Sequence, residues 1–161
     1  MRGYGEERFA GRIARAIARE RKDREIKTTG DLVDIIGGAV PAAYRHDKKI
    51  HFATRTFQAL RIATNEELSN LEAALPKALA ALMPGGRIAV ISYHSLEDRI
   101  VKNFFRKESR DCLCPKELPE CLCGHKAALK IITKKIVSAT DREIRENPRS
   151  RSAKLRVAEK I

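Results

Sequence analysis

Tryptophan is absent from this chain, and only three Tyr and five Phe stand among its residues. So thin an aromatic supply argues against a single-strand-binding platform, where successive bases stack on exposed rings. No apolar run approaches the roughly 20 residues that a bilayer-spanning helix needs, and the N-terminus lacks the charged, apolar and small-residue regions of a signal peptide. The expectation is a cytoplasmic protein with no membrane partner. The four cysteines fall in two tight pairs. In a reducing compartment they stay thiols, so a disulfide framework is not expected. A glycine-rich loop that follows a strand and opens a helix is missing: Gly37-Gly38 reads as a helix end and Gly85-Gly86 precedes a strand. Internal repeats and low-complexity segments are missing as well.

What the chain has in excess is positive charge. Its 33 Lys and Arg against 21 Asp and Glu leave +12 over 161 residues, a balance that favours polyanions such as nucleic acid over neutral metabolites. A merely soluble basic surface is the alternative. Residues 1–27 carry +4, residues 28–125 carry +1 and residues 126–161 carry +7, so the excess sits at the two ends. Such patches would contact phosphates with salt-dependent affinity, positioning a nucleic acid without reading its sequence. With 43% hydrophobic residues the chain can build one ordinary core, or a small helical unit plus part of a sheet.

Residues 6–24 have helical composition, with Phe9, Ile13, Ala16 and Ile17 on one stripe and Arg8, Arg12, Arg15, Arg19 and Arg21 over the remainder. Thr28, with Asp31 three residues on, resembles a capping box opening a short helix that buries Leu32, Ile35 and Ile36 before Gly37-Gly38 stops it. Residues 41–52 read as a polar, basic connection, with His46 and His51 at the surface. A long helical region follows over 54–82, with Phe57, Leu60, Leu68, Leu71, Leu75, Leu79 and Leu82 as apolar positions and Pro76 expected to kink or restart it. After the turn Pro84-Gly85-Gly86, Ile88-Ala89-Val90-Ile91 reads as a strand covered on both faces, the kind found in the middle of a parallel sheet. Ser95 then caps a helix, with Asp98 three residues on and Ile100, Val101, Phe104 and Phe105 on its buried side. The tail reads strand over 129–133, short helix capped by Thr140 and stopped by Asn147-Pro148, and alternating strand over 153–157.

The junction of strand 88–91 with the turn Ser92-Tyr93-His94-Ser95 is where open α/β sheets hold ligands. Yet one strand apolar on both faces needs neighbours on each side, and two flanking strands cannot complete a doubly covered parallel sheet. Either the chain forms a homo-oligomer through that edge, or it is the C-terminal part of a larger fold whose first strands lie before Met1.

Four stretches, in order, carry a resemblance: His51-Phe52-Ala53-Thr54-Arg55-Thr56-Phe57-Gln58-Ala59-Leu60-Arg61-Ile62, then Pro84-Gly85-Gly86-Arg87, then Ser92-Tyr93-His94-Ser95-Leu96-Glu97-Asp98-Arg99-Ile100-Val101-Lys102, then Glu146-Asn147-Pro148-Arg149-Ser150-Arg151-Ser152-Ala153-Lys154-Leu155-Arg156. Over essentially its whole length the chain resembles the bacterial small-subunit ribosomal RNA cytosine-N4 methyltransferases, the MraW/RsmH family. The resemblance implies a Rossmann-like α/β methyltransferase domain interrupted by a helical domain that helps hold RNA. Residues 1–65 then correspond to the helical insertion and residues 66–161 to the C-terminal part of the sheet, with the strands of the N-terminal half absent. It also implies methylation of the exocyclic N4 of a cytidine, S-adenosyl-L-methionine as cofactor, and small-subunit ribosomal RNA or the small subunit as partner. The glycine-rich loop, an acidic ribose-binding residue and an Asp and Ser-Ser-Pro-Gln stretch are expected upstream of Met1. No cofactor-binding residue is then expected in this chain, and the isolated chain is expected to be inactive. Phe52 stands where the family usually has proline, which makes the approach to the following helix less rigid. A stand-alone basic RNA-binding module without catalysis is the other reading, and a zinc-organised interaction piece a third.

On this reading His94 and Ser95 help line a pocket for a cytosine held out of its stack, or they merely cap and brace a helix. Amino-group methylation needs the amine lone pair aimed at the methyl group, so no strong base is assigned. Candidate phosphate contacts are Arg12, Arg15, Arg19, Arg55, Arg61, Arg149, Arg151, Lys154 and Arg156. Cys112-x-Cys114 and Cys121-x-Cys123, with His125 beside them, either form a four-thiolate zinc site of structural kind or remain reduced surface cysteines. One intervening residue, where zinc knuckles more often have two, leaves both open.

Overall fold

The computed structural model describes residues 1–46, 50–115 and 120–161; the parts of the expected basic connection at 47–49 and of the cysteine loop at 116–119 lie outside the described residues. The chain divides into two compact units, Met1–Glu67 and Leu68–Ile161.

The first unit is helical: α1 (Arg2–Gly5), α2 (Ala10–Asp23), α3 (Thr29–Ala39), α4 (Ala42–Arg45) and α5 (Thr54–Asn65). The apolar stripe of α2 packs as its spacing demands, with Ile13 wholly buried beside Ile36, Ala39, Val40 and Ala53 and with Phe9 and Phe57 against them. Gly5 lets α1 lie directly on α5, because a Cβ there would collide with the backbone oxygen of Arg55. Thr28 and Asp31 form both halves of the expected capping box. The expected stop at Gly37-Gly38 is not where α3 ends. The helix runs on to Ala39, and Pro41 ends it by holding Val40 extended at φ −105° and ψ 154°. Gly37, buried within the helix, faces the ring of Phe52, which a Cβ there would meet at ordinary contact distance. Glu7, fully buried, accepts hydrogen bonds from the Phe9 N–H and the Tyr44 hydroxyl, both at 2.8 Å.

The helical region expected over 54–82, with a kink or restart at Pro76, is two helices broken instead at Glu66, whose φ of 51° is left-handed. Pro76 sits inside α6 (Glu67–Ala81) on its exposed side, where water can serve the carbonyl that loses its partner. In the second unit come β1 (Arg87–Ser92), α7 (Ser95–Glu108), β2 (Leu129–Ile131), β3 (Val137–Ser138), α8 (Asp141–Glu146), a 3-10 turn over Pro148–Ser152 and β4 (Lys154–Lys160).

The sheet is mixed with helices but it is not parallel. β4 lies at its centre and pairs antiparallel with β1, β2 and β3. β1, expected to be an interior strand covered on both faces, has β4 as its partner among the described residues and is packed on one face only. Ile88 is buried, while Ala89 is exposed and Ile91 is 57% exposed. Lack of alternation therefore reported how apolar the strand is, not how many layers cover it in this chain. The packed face carries the core, where Leu75 of α6 and Val101 and Phe105 of α7 meet Ile88, Leu129 and Ala158 of the sheet. Lys160, at the end of β4, donates from Nζ to the carbonyls of Leu79 and Leu82 at 3.1 and 2.6 Å and so caps the last turn of α6.

Candidate functional site

At the carboxyl end of β1 the chain turns through Tyr93 and His94 into α7. The helix cap is His94, not Ser95: its Nδ1 accepts from the Glu97 N–H at 3.3 Å, while the Glu97 carboxylate accepts from the backbone N–H of Tyr93 at 2.8 Å and of His94 at 3.2 Å. This is a capping box with imidazole in place of the usual hydroxyl. It takes the Glu97 amide of the first turn and the two amides that precede the helix. With Nδ1 accepting, the neutral ring carries its proton on Nε2. That atom is buried without an aligned hydrogen-bond partner, although Glu97 Oε1 lies 3.3 Å away, and the Ser92 hydroxyl is buried without a partner as well. Two buried polar atoms at the strand end thus lack a well-formed hydrogen bond. Tyr93, between them in sequence, is 57% exposed.

Asp98 does not complete the cap. It takes a two-pronged ion pair from Arg156 across the unit, Nε to Oδ1 at 2.7 Å and Nη2 to Oδ2 at 3.1 Å, with both side chains 11% exposed. Hydrogen bonding from Arg156 holds the Asp98 carboxyl below its ordinary range, against the pull of burial and with help from the charges of Arg156, Lys154 and Lys102. Arg156, expected at the phosphate surface, is therefore a structural residue that locks α7 to β4.

The antiparallel pairing gathers the rest of the basic tail. Ser92 is the register partner of Lys154, so the start of β4 lies at the end of β1, and Arg149 and Arg151, both exposed, immediately precede it. Between them Ser150 is buried and donates to the Asn147 carbonyl at 2.8 Å. Lys154, Arg149 and Arg151 thus reach the same sheet end as His94 and Ser92. A cleft of 540 Å³ between α6 and α7, lined by Leu75, Leu79, Ile100 and Phe104, includes none of these residues.

In the first unit Arg12, Arg15 and Arg19 are exposed along α2 and border a 300 Å³ cleft with Ala16, Gly38 and Ala39. Spaced by three and four residues they share one helix face, over about 10 Å. None of the three has an ion-pair partner among the described residues. Arg55 is half-buried and donates to the Glu6 carbonyl at 3.4 Å. Arg61 makes a two-pronged pair with Glu67 at 2.7 and 3.0 Å. Free cations and committed ones thus sit side by side in the candidate set.

The cysteines do converge. The sulfurs of Cys112, Cys114, Cys121 and Cys123 all lie within 4.8 Å of one another. Backbone N–H groups of Leu113 and His125 hold the Cys123 thiol down at about 6. At Cys112 the Cys114 N–H favours the thiolate, but hydrogen bonds with the neighbouring thiols and desolvation outweigh it and push the value up to about 12. Thiols this close cannot all ionise without a cation among them.

Sequence reasoning missed Glu97 and the Asp98–Arg156 pair. Glu97 was legible in principle, three residues after His94, had imidazole been admitted as a cap acceptor. The ion pair joins residues 58 apart, and no local pattern announces it.

Comparison with known proteins completes the picture. A model of the MraW methylase family matches residues 1–161. A protein of Heliobacterium modesticaldum named ribosomal RNA small subunit methyltransferase H is 60% identical over the whole chain, which covers 51% of that relative. Relatives with the same name in Syntrophus aciditrophicus and Dehalococcoides mccartyi are 56% identical over 161 residues and 57% identical over 158, covering 51% and 44% of those proteins. The chain spans about half the length of the curated relatives it matches. Among the described residues no helix is long and apolar enough to cross a membrane. By the match along its whole length, the chain belongs to the MraW methylase family.

Proposed function

We propose that this chain is the RNA-facing part of an enzyme that methylates the N4 amino group of a cytidine in small-subunit ribosomal RNA, using S-adenosyl-L-methionine. The observation that carries the reading is the sheet end where buried Ser92 Oγ stands without a partner and buried His94 Nε2 has only the poorly aligned Glu97 Oε1 at 3.3 Å, beside the Lys154 strand start. Buried polar atoms left unpaired cost stability, of order 1–3 kcal/mol each, and a base edge supplies donors and acceptors that would satisfy them. Lys154, Arg149 and Arg151 are placed to take the flanking phosphates, and the exposed ring of Tyr93 offers a face for a base out of its stack. The helical unit adds a second phosphate-binding face through Arg12, Arg15 and Arg19.

The described residues carry no glycine-rich turn from a strand into a helix that would cradle the cofactor. The strand-to-helix junction at β1 has no glycine, and Gly85-Gly86 turn the chain ahead of a strand. S-adenosyl-L-methionine is therefore assigned to the length of the relatives that this chain does not span, whose strands would pair with the free edge of β1 and whose helices would cover Ala89 and Ile91 in a Rossmann-like sheet. Joining this chain to the remaining part of the Heliobacterium modesticaldum relative tests the reading. The chimaera should place labelled methyl groups on small-subunit ribosomal RNA as N4-methylcytidine, and His94→Ala in it should lower turnover at unchanged RNA affinity. RNA binding without methyl transfer by a folded, cofactor-binding chimaera would leave only the basic binding module.

A further inference from the structure

Residues 109–128, between α7 and β2, contain no helix or strand among the described ones, and the apolar side chains there are poorly covered, Leu122 being 80% exposed. A loop of this length without its own hydrophobic burial needs another source of order. Its base is tied by the Ala128 N–H to the Glu108 carbonyl at 2.8 Å, and His125 Nε2 lies 3.1 Å from the Lys107 carbonyl. Beyond that base, what converges is sulfur. Cys112 and Cys121 lie 3.3 Å apart, Cys121 and Cys123 3.6 Å, and Cys123 and Cys112 3.8 Å, with Cys114 inside the same 4.8 Å group.

The separations among Cys112, Cys121 and Cys123 are close to the edges of a coordination tetrahedron. With zinc–sulfur bonds of about 2.3 Å, the sulfurs of a four-thiolate site stand about 3.8 Å from one another. The backbone contributes as well: the Leu113 N–H points to Cys123 Sγ and the Cys114 N–H to Cys112 Sγ, both at 3.4 Å. Amides aimed at sulfur stabilise bound thiolates and fix their orientation. The spacing that is unusual for a zinc knuckle is thus the one that lets each pair, on its own arm of the loop, reach a common centre.

We propose that Cys112, Cys114, Cys121 and Cys123 bind one zinc-type divalent cation. All four positions are filled by protein, so the site is closed and structural. Each thiol that binds gives up its proton, and the resulting tetrathiolate complex carries a charge of −2 in a loop flanked by Arg110, His125 and Lys126. The cation closes the loop against the end of α7 and the start of β2, in place of a hydrophobic core. This holds whatever the chain acts on.

Elemental analysis of the chain, purified without chelator, should find about one zinc per chain. Cobalt(II) exchanged into the same site should give the intense visible absorption of tetrahedral thiolate coordination, and all four thiols should resist alkylation until a chelator is added. Cys121→Ser and Cys123→Ser should each lower zinc affinity at least tenfold, while Leu122→Ser, in the same loop, should keep it. Should the cysteine variants fail to fold, zinc content, cobalt spectrum and thiol protection of the unaltered chain still decide. Substoichiometric zinc with four freely alkylated thiols, an intact mass showing disulfides, or zinc retained undiminished by both folded serine variants would overturn the proposal.

Discussion

The two units of this chain treat the same residue type in opposite ways. On α2 of the helical unit, Arg12, Arg15 and Arg19 stand on one exposed face with no ion-pair partner among the described residues. In the sheet-bearing unit, Arg156 is drawn in against Asp98 until both are 11% exposed. An arginine on the solvent side of an amphipathic helix has nothing opposite it and is available to a polyanion. One on a central strand faces the helix packed over that strand, and must be paired or excluded. Charge in a sequence therefore becomes binding surface or internal bracing according to what the fold sets against it.

The sharpest way to break this contrast is at Asp98. Asp98→Asn leaves the Arg156 guanidinium half-satisfied in a buried position and should cost about 3 kcal/mol, read as a lower urea midpoint. The same pair dates itself by pH. Because Arg156 depresses the folded-state pKa of Asp98, its stabilisation is complete above the unfolded value of about 3.9 and is lost as pH falls through the folded-state value. Parent and Asp98→Asn should therefore converge in stability at acid pH, and a difference that persisted undiminished there would remove the ion pair as the cause.

On the other side of the comparison, replacing Arg12, Arg15 and Arg19 together with Gln should leave the urea midpoint nearly unchanged and alter ligand binding instead. In titrations with ribosomal RNA, the slope of log affinity against log salt should become shallower by about 2 to 3. An unchanged slope would move the phosphate surface elsewhere. The smallest effect belongs to Arg61, whose pair with Glu67 is 56% exposed on the arginine side. Arg61→Ala should cost less than about 1 kcal/mol by thermal melting, since solvent screens the pair.

Much of the local structure was legible. Thr28 and Asp31 announced a capping box, the stripe Phe9, Ile13, Ala16 and Ile17 marked the buried face of α2, and Thr140 marked the start of α8, accepting from the Glu143 N–H. These depend on neighbours within one or two helical turns. Gly37-Gly38 looked like a helix stop, yet α3 runs through them to Ala39 and Pro41 ends it, a local signal that was passed over. The error at β1 came where distant residues decide. Ile88 to Ile91 looked like an interior parallel strand, yet its pairing is antiparallel and its second face open, because pairing depends on a segment more than 60 residues later. Within the candidate site His94 was legible as a residue at a strand end and its cap on Glu97 is local, but the supply of Lys154 beside it required knowing that β4 runs antiparallel to β1.

By itself the sequence determined the buried stripe of α2, the caps of α3 and α8, the excess of cations at the two ends, the turn after an apolar strand and the family to which these belong. Each of those is written in residue spacing or in residue type, and survives whatever the rest of the chain does. Only the tertiary structure decided which cations are spent inside the protein, which polar atoms at the turn are buried without a well-formed hydrogen bond, and that four sulfurs from two arms of a loop share one centre. Those outcomes depend on distances between residues far apart in sequence, and burial strengthens every such interaction by removing the water that would otherwise compete for it.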